Sequence, residues 1–353
     1  MNRFIGLFVA AILLAAPLSA VASKTYSDKD GQIIEFNSYF GVDLWGTQVK
    51  PINAHGILYL PDEASSENKV PLAILISGIG GQRGRDNRMC ETLSQRGIAC
   101  FGVRTYFSRD IPHEQKHSQK LKIAGAGSRM HDAYGALAYF SKRKDIDAGN
   151  IWFIGFSLGG FLAALSVDES FTKQFNETEL DFAGFINVYG GCPTTVNPNF
   201  KATTYRHFIG SGDVNYDEDG CSEFIKSLKS GGVDTDFVFF KGSQFNKVGH
   251  AWDSMKAATS KGGWFGQPEG PWKHNHSKHK WPDKASNIYD CGFKIDVRNQ
   301  AILANGKSIG SPSDNEALDF TLENCGTREG VSKKSQKITK QVDDIITNTI
   351  KAK

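Results

Sequence analysis

"IWFIGFSLGGFLAAL" (residues 151–165) opens with Ile, Trp and Phe, breaks into Gly-Phe-Ser-Leu-Gly-Gly, and resumes as an apolar stretch of Phe, Leu and Ala. The first part reads as a strand buried on both faces and the last part as a buried helix. Neither element requires a serine where they meet. Glycines on both sides of Ser157 permit a tight, strained turn that lifts the serine hydroxyl out of the chain's path.

The segments around this turn repeat its alternation. Upstream, "HGILYLP" (55–61) and the continuous apolar run "KVPLAILISG" (69–78) read as strands. "RDNRMCETLSQRG" (85–97) reads as a helix closed by Gly97, "IACFGVR" (98–104) as a strand, and "RMHDAYGALAYFSKR" (129–143) as a helix after a polar loop containing His and Lys. Downstream, strands are expected at 182–191, 205–212 and 235–242, with a helix over 221–232. Strands alternating with helices build βαβ crossovers and a mostly parallel sheet with helices on its faces. Beyond about residue 255 the alternation stops. An extension over about 257–328 is rich in Gly, Pro, Trp and His and contains one hairpin, turning at Asn305-Gly306 or near Arg298-Asn299. "KKSQKITKQVDDIITNTIKAK" (333–353) then returns as a terminal helix.

Composition bounds the function. The chain has 353 residues, 40% hydrophobic and 22% charged, enough to bury a large core. Residues 1–22 read as a signal peptide: Arg3 is the positive end, Phe4 to Leu18 are apolar, and Ala20-Val21-Ala22 has the small-x-small pattern of a cleavage site before Ser23. Residues 23–353 then form a single domain, exported to the periplasm or beyond, with no stable membrane anchor once the signal is removed. The formal charge of +3 falls to +2 when Arg3 is cleaved away, a balance that argues against nucleic acid or an anionic membrane as partner. Six cysteines in an oxidising compartment read as disulfides. Cys192 follows one strand and Cys221 lies eight residues past Asp213 at the end of the next, so these two are expected to bridge at one edge of the sheet. Cys291–Cys325 is the next expected pair, with Cys90 and Cys100 bridged or buried as thiols.

In an open parallel sheet, ligands bind beyond the carboxyl ends of the strands, where Ser157 falls. A serine hydroxyl alone is a weak nucleophile and requires a base and an orienting acid. Asp213 ends "FIGSGD" after the next-but-one strand, and His250 lies in "KVGHAWD" after the last. Their order, Ser, Asp, His, is the one this turn type requires. Oxyanion donors are expected from the N–H of Leu158, at the helix start, and from Ile79 or Gly80 in the loop "SGIGGQRGR" (77–85). Gly78 and Gly80 are followed by Arg83 where a dinucleotide fingerprint needs a third glycine, so no nucleotide cofactor is expected, and no other cofactor. The bland alternatives are a helix cap for Ser157, a turn residue for Asp213 and a surface side chain for His250.

Two further clusters carry residue types that bind metal. Asn215, Asp217 and Asp219 precede Gly220 as in a calcium loop, but the twelfth position is Lys226 where a bidentate Glu belongs, which favours a solvated acidic turn. His274, His276 and His279 in "WKHNHSKHKW" have no Cys or carboxylate among them and read as a basic surface loop. No metal is assigned.

With these residues in place, 69–254 and the terminal helix resemble the α/β-hydrolase fold and, within it, the dienelactone hydrolase family. "DAYGALAYFSKRKDIDAGNIWFIGFSLGGFLAAL" has that family's helix, strand and elbow in series, followed by its "GSGD" and "GH" landmarks. The family's namesake uses cysteine as nucleophile, whereas this chain has Ser157, which turns the expectation toward a serine esterase acting on a small-molecule ester or acyl substrate. A peptidase with the same triad and a non-catalytic binding protein on the same scaffold are the alternatives.

Overall fold

A computed structural model describes residues 31–41, 44, 48–82, 84–112, 115–194, 198–200, 204–213, 215–241, 252, 293–296, 301–304, 307–310 and 333–353. The expected signal peptide, His250, the histidine cluster at 274–279, Cys291, Cys325 and most of the 257–328 extension lie outside these residues.

The expected sheet is present. Its strands are β1 (Gln32–Gly41), β2 (Gln48–Tyr59), β3 (Val70–Ile76), β4 (Ala99–Val103), β5 (Ile146–Phe156), β6 (Gly184–Val188), β7 (Thr204–Gly210) and β8 (Asp234–Phe240). They line up in the order β1-β2-β4-β3-β5-β6-β7-β8. Only β1–β2 and β2–β4 pair antiparallel; the rest of the sheet is parallel. This is the α/β-hydrolase architecture.

Side-chain alternation divides each central strand between two cores. Leu72, Ile74 and Ile76 of β3 and Ile151 and Phe153 of β5 face one side. There they meet α3 (Ala126–Phe140), α4 (Leu158–Leu165) and α6 (Glu218–Ser230) through Met130, Leu137, Leu162 and Phe224. Ala73, Leu75, Trp152 and Ile154 face the other, against α1 (Gly84–Ser94) and the terminal helix α7 (Lys333–Lys351). Because both faces are covered, the strands carry no polar stripe, and their sequences read as unbroken apolar runs.

Four departures from the sequence reading stand out. The polar loop before α3 contains a 3-10 turn (Phe107–Arg109) and a helix α2 (His117–Ile123). Buried polar groups hold this region: Arg109 donates to both carboxylate oxygens of Asp132, at 3.0 and 2.9 Å, and Ser38 donates to the same carboxylate at 2.6 Å. A one-turn helix, α5 (Glu169–Thr172), follows α4. The expected hairpin is a three-stranded antiparallel sheet of β9 (Phe293–Asp296), β10 (Ala301–Ala304) and β11 (Lys307–Gly310), with β10 in the middle. Finally, the acidic turn expected at 215–219 runs into the start of α6, three residues earlier than the helix read from the sequence: Asp217 is the N-cap, its carboxylate accepting from Gly220 N at 3.2 Å.

Candidate functional site

The turn after β5 has the geometry its sequence implies. Ser157 adopts φ +53° and ψ −115°, a conformation rarely tolerated by a residue with a Cβ. The glycines around it are obligatory: a methyl on Gly155 would meet the Gly159 carbonyl, and one on Gly159 would meet the Ile76 carbonyl. Ser157 N–H donates to Val188 O and its own carbonyl accepts from Phe161 N–H, both at 2.9 Å, so the turn is fastened to β6 below and to α4 above. Ser157 occupies the N-cap position of α4, yet its hydroxyl makes no capping bond. The helix-cap alternative is therefore excluded.

The loop after β3 lies against this turn. A Cβ built on Gly78 would sit 3.0 Å from Ser157 Cβ, so a larger residue would crowd the serine turn. Gly81 N–H closes a turn onto Gly78 O at 3.0 Å, with Gly81 at φ +82°. Outside contacts fix each carbonyl: Arg129 Nη2 donates to Gly78 O at 3.2 Å, and Tyr106 Oη donates to Ile79 O at 2.8 Å. The N–H groups of Ile79 and Gly80 make no hydrogen bond among the described residues. Leu158 N–H, at the first position of α4, has no partner within the helix, as for any helix start. The helix start at Leu158 and the loop that continues from Gly78 into Ile79 and Gly80 thus both adjoin the turn of Ser157.

Asp213 stands three residues beyond β7 and is 7% exposed, as is Ser157. Its Oδ1 accepts from Asn215 N–H at 2.8 Å, so the turn role foreseen for it is real. Asn215 Nδ2 in turn donates to Tyr189 O at 3.3 Å, and Tyr189 directly follows the Val188 that holds Ser157. The ends of β5, β6 and β7 are therefore laced together through Val188, Tyr189 and Asn215. Cys192 and Cys221 are disulfide-bonded with Cα atoms 5.0 Å apart, as expected, and the bridge spans the loop that carries Asp213. Cys90 and Cys100 form a second disulfide, between α1 and β4. Trp252, two positions after His250, is buried with its ring edge-on to Tyr189 and Phe240, at centroid distances of 4.9 and 5.4 Å.

His207, in the middle of β7, is fully buried, and desolvation drives its pKa down to about 3. The ring is neutral, and its Nε2–H donates to Gly190 O at 3.0 Å. It anchors the segment between Tyr189 and Cys192. A cavity of about 620 Å³ runs between β1 and α3, lined by Tyr39, His131, Tyr134 and Phe175 among others, and includes none of the candidate residues. No group of three or more metal-ligating side chains occurs among the described residues.

Sequence reasoning missed Tyr106 and Arg129, and singled out Asn215 only as part of the calcium-like cluster. Arg129 opens a helix recognised from its apolar residues, and Tyr106 lies in the stretch read as loop. Nothing in their spacing marks them as neighbours of Gly78.

No family model matches the chain, and no curated protein sequence does. Among solved structures it is similar to a putative dienelactone hydrolase from Klebsiella pneumoniae subsp. pneumoniae MGH 78578, at 17% identity and TM-score 0.45, over 62% of this chain and 88% of that one. It is also similar to Thermogutta terrifontis esterase 2 phosphonylated by cyclosarin, at 16% identity and TM-score 0.43, over 61% and 84%. A third similar structure is the Pyrococcus horikoshii acylaminoacyl peptidase, at 14% identity and TM-score 0.42, over 60% of this chain and 38% of that one. Identities this low leave the reaction to be argued from the site itself.

Proposed function

We propose that this chain is an exported serine hydrolase that cleaves carboxylic esters of small molecules through an acyl-enzyme. The observation that carries the reading is Ser157 itself: a buried serine at φ +53°, free of any capping duty, facing a glycine loop with open amides. Strain at a position where a relaxed residue would serve folding better is a mark of function. In the proposed sequence Ser157 Oγ attacks the acyl carbonyl while His250 takes its proton. Asp213 holds the imidazole in the tautomer that can do so. The amides of Leu158 and of Ile79 or Gly80 receive the developing oxyanion. Collapse of the tetrahedral intermediate expels the alcohol, protonated by His250, and a water then repeats the steps to release the acid. A single residue, Ala251, separates His250 from the buried Trp252, and this supports the role of His250, since Trp252 packs on the Tyr189 that adjoins Ser157's anchor.

Export is part of the proposal. Two disulfides among the described residues favour an oxidising compartment, and no helix there is long and apolar enough to cross a membrane. Removal of residues 1–22 leaves Ser23 as the first residue of the exported protein, which N-terminal sequencing reads directly.

The deciding experiment is turnover of a series of esters and the matching amides, with an organophosphonate as covalent probe. Ester cleavage that Ser157→Ala abolishes, with phosphonate mass found on the Ser157 peptide, is expected. Cleavage of amides in preference to esters would move the assignment to a peptidase. Absence of any turnover and of labelling would leave a binding protein on a hydrolase scaffold.

A further inference from the structure

Arg129 is fully buried, yet meets no carboxylate among the described residues. Its guanidinium donates only to backbone carbonyls: Ala124 O at 2.9 Å and Gly125 O at 3.2 Å through Nη1, and Gly78 O at 3.2 Å through Nη2. Its remaining close contact is the face of Tyr106, 4.7 Å from the ring centroid, and the buried Lys120 ammonium stands 5.1 Å from the same centroid. Arg129 also lies in the first turn of α3, the end of a helix where a positive charge is disfavoured. A desolvated cation without an anionic partner, placed against a helix dipole, weakens the resting protein. What it faces explains why it is there.

Its Nη2 grips the carbonyl of the Gly78–Ile79 peptide. In a trans peptide the C=O and the following N–H point in opposite directions, so drawing the Gly78 carbonyl toward the guanidinium turns the Ile79 N–H away from it. A charged donor on the oxygen also polarises the amide and makes that N–H a stronger donor. Tyr106, held in place under Arg129, fixes the next peptide plane in the same way through Ile79 O, and with it the Gly80 N–H. We infer that Arg129 is a positioning residue for the oxyanion hole: it sets and polarises the Ile79 amide, with Tyr106 as its support, and its unneutralised charge is answered when the tetrahedral oxyanion forms. The inference rests on the serine hydrolase reading above.

The test uses full-length protein and compares an ester with its thionoester, in which sulfur replaces the carbonyl oxygen. Sulfur that gains negative charge accepts hydrogen bonds poorly, so a weakened oxyanion hole harms the ester more than the thionoester. Arg129→Met is expected to lower kcat for the ester by about 100-fold, of the order seen when an oxyanion donor is removed, with KM changed less than about threefold. The ester-to-thionoester rate ratio should fall at least tenfold. Arg129→Lys, which keeps the charge, should recover part of that ratio, and Tyr106→Phe, which keeps the ring, should lower it by a smaller factor. Equal loss for both substrates in all three variants would show that Arg129 only supports the fold, and an unchanged ester kcat would remove it from the site. A wild-type protein that turns over no ester and is not labelled at Ser157 would instead overturn the hydrolase reading, and this inference with it.

Discussion

The backbone of Ser157 stores strain of about 1–3 kcal/mol, and its neighbours are chosen so that this strain cannot relax. Gly159 is constrained from outside the turn, because a methyl there enters the Ile76 carbonyl of the neighbouring strand. Gly159→Ala should therefore cost more than about 2 kcal/mol in urea unfolding and abolish turnover together with stability. Ser157→Ala should behave oppositely. A helix cap lost to alanine costs about 1 kcal/mol, but this hydroxyl caps nothing, so the stability change should stay within about 0.5 kcal/mol while activity disappears. His207 supplies a pH signature. Its folded pKa of about 3 lies below the unfolded value near 6.5, so the unfolded chain binds the extra proton between those limits. Its contribution to stability is complete above pH 6.5 and is lost as pH falls toward 3, with a slope approaching about 1.4 kcal/mol per pH unit. Replacing His207 with Gln should flatten that part of the stability profile, measured by urea midpoints across the range. The serine turn was legible in the sequence because its glycines have no other use. Arg129 was not, because its partner is a backbone carbonyl 51 residues away and carries no residue signature.

Strands β3 and β5 could be read directly because a parallel sheet covered on both faces demands unbroken apolar runs. The edge strand β1 escaped notice: its burial alternates incompletely, and Glu35 and Asn37 interrupt it on the exposed side. Helix α2 was hidden for a different reason. It has seven residues, and the side chain it buries is Lys120, so no apolar stripe betrays it. The loop between β7 and α6 was legible in outline, since Cys192 and Cys221 had to emerge at neighbouring strand ends, and the bridge between them forms as expected. In the chain-entropy account a cross-link over 29 residues contributes about 3–4 kcal/mol. The paired substitution Cys192→Ser with Cys221→Ser should lose that stability. It should also lower kcat several-fold at temperatures where the protein remains folded, because the Asp213 loop then loses its covalent tie and keeps non-covalent contacts such as those of Asn215 to Asp213 and Tyr189. Unchanged kcat with reduced stability would assign the bridge to folding alone.

At the scale of the molecule, the terminal helix belongs to the same folded unit as the sheet despite its distance in sequence. Ile338, Val342, Ile346 and Ile350 recur four apart and are buried in the core that also holds Leu75, Trp152 and Ile154. Polar contacts then clasp α7 to α1. Arg88 pairs with Asp343 at 2.7 Å and Arg96 with Asp344 at 3.0 Å, while Arg96 also donates to Thr347 Oγ1 at 2.9 Å. Helix α1 begins two residues after Gln82, which closes the Gly78 loop by accepting from Arg104 at 3.0 Å. The same core contains Trp252 and Tyr189, the aromatic pair beside the candidate site. If α7 completes this core, removing volume from it must weaken the sheet and the site together. Ile346 is fully buried at the middle of the stripe, so Ile346→Ala should cost about 2–4 kcal/mol through lost burial and the cavity left behind. Urea unfolding followed by far-UV circular dichroism and by residual ester turnover should give one shared midpoint, shifted equally for both. Were α7 an appendage, the variant would shift only a minor circular dichroism transition and leave the loss of turnover at the wild-type urea concentration; coincident shifts are expected because the helix closes the face on which β3 and β5 rest.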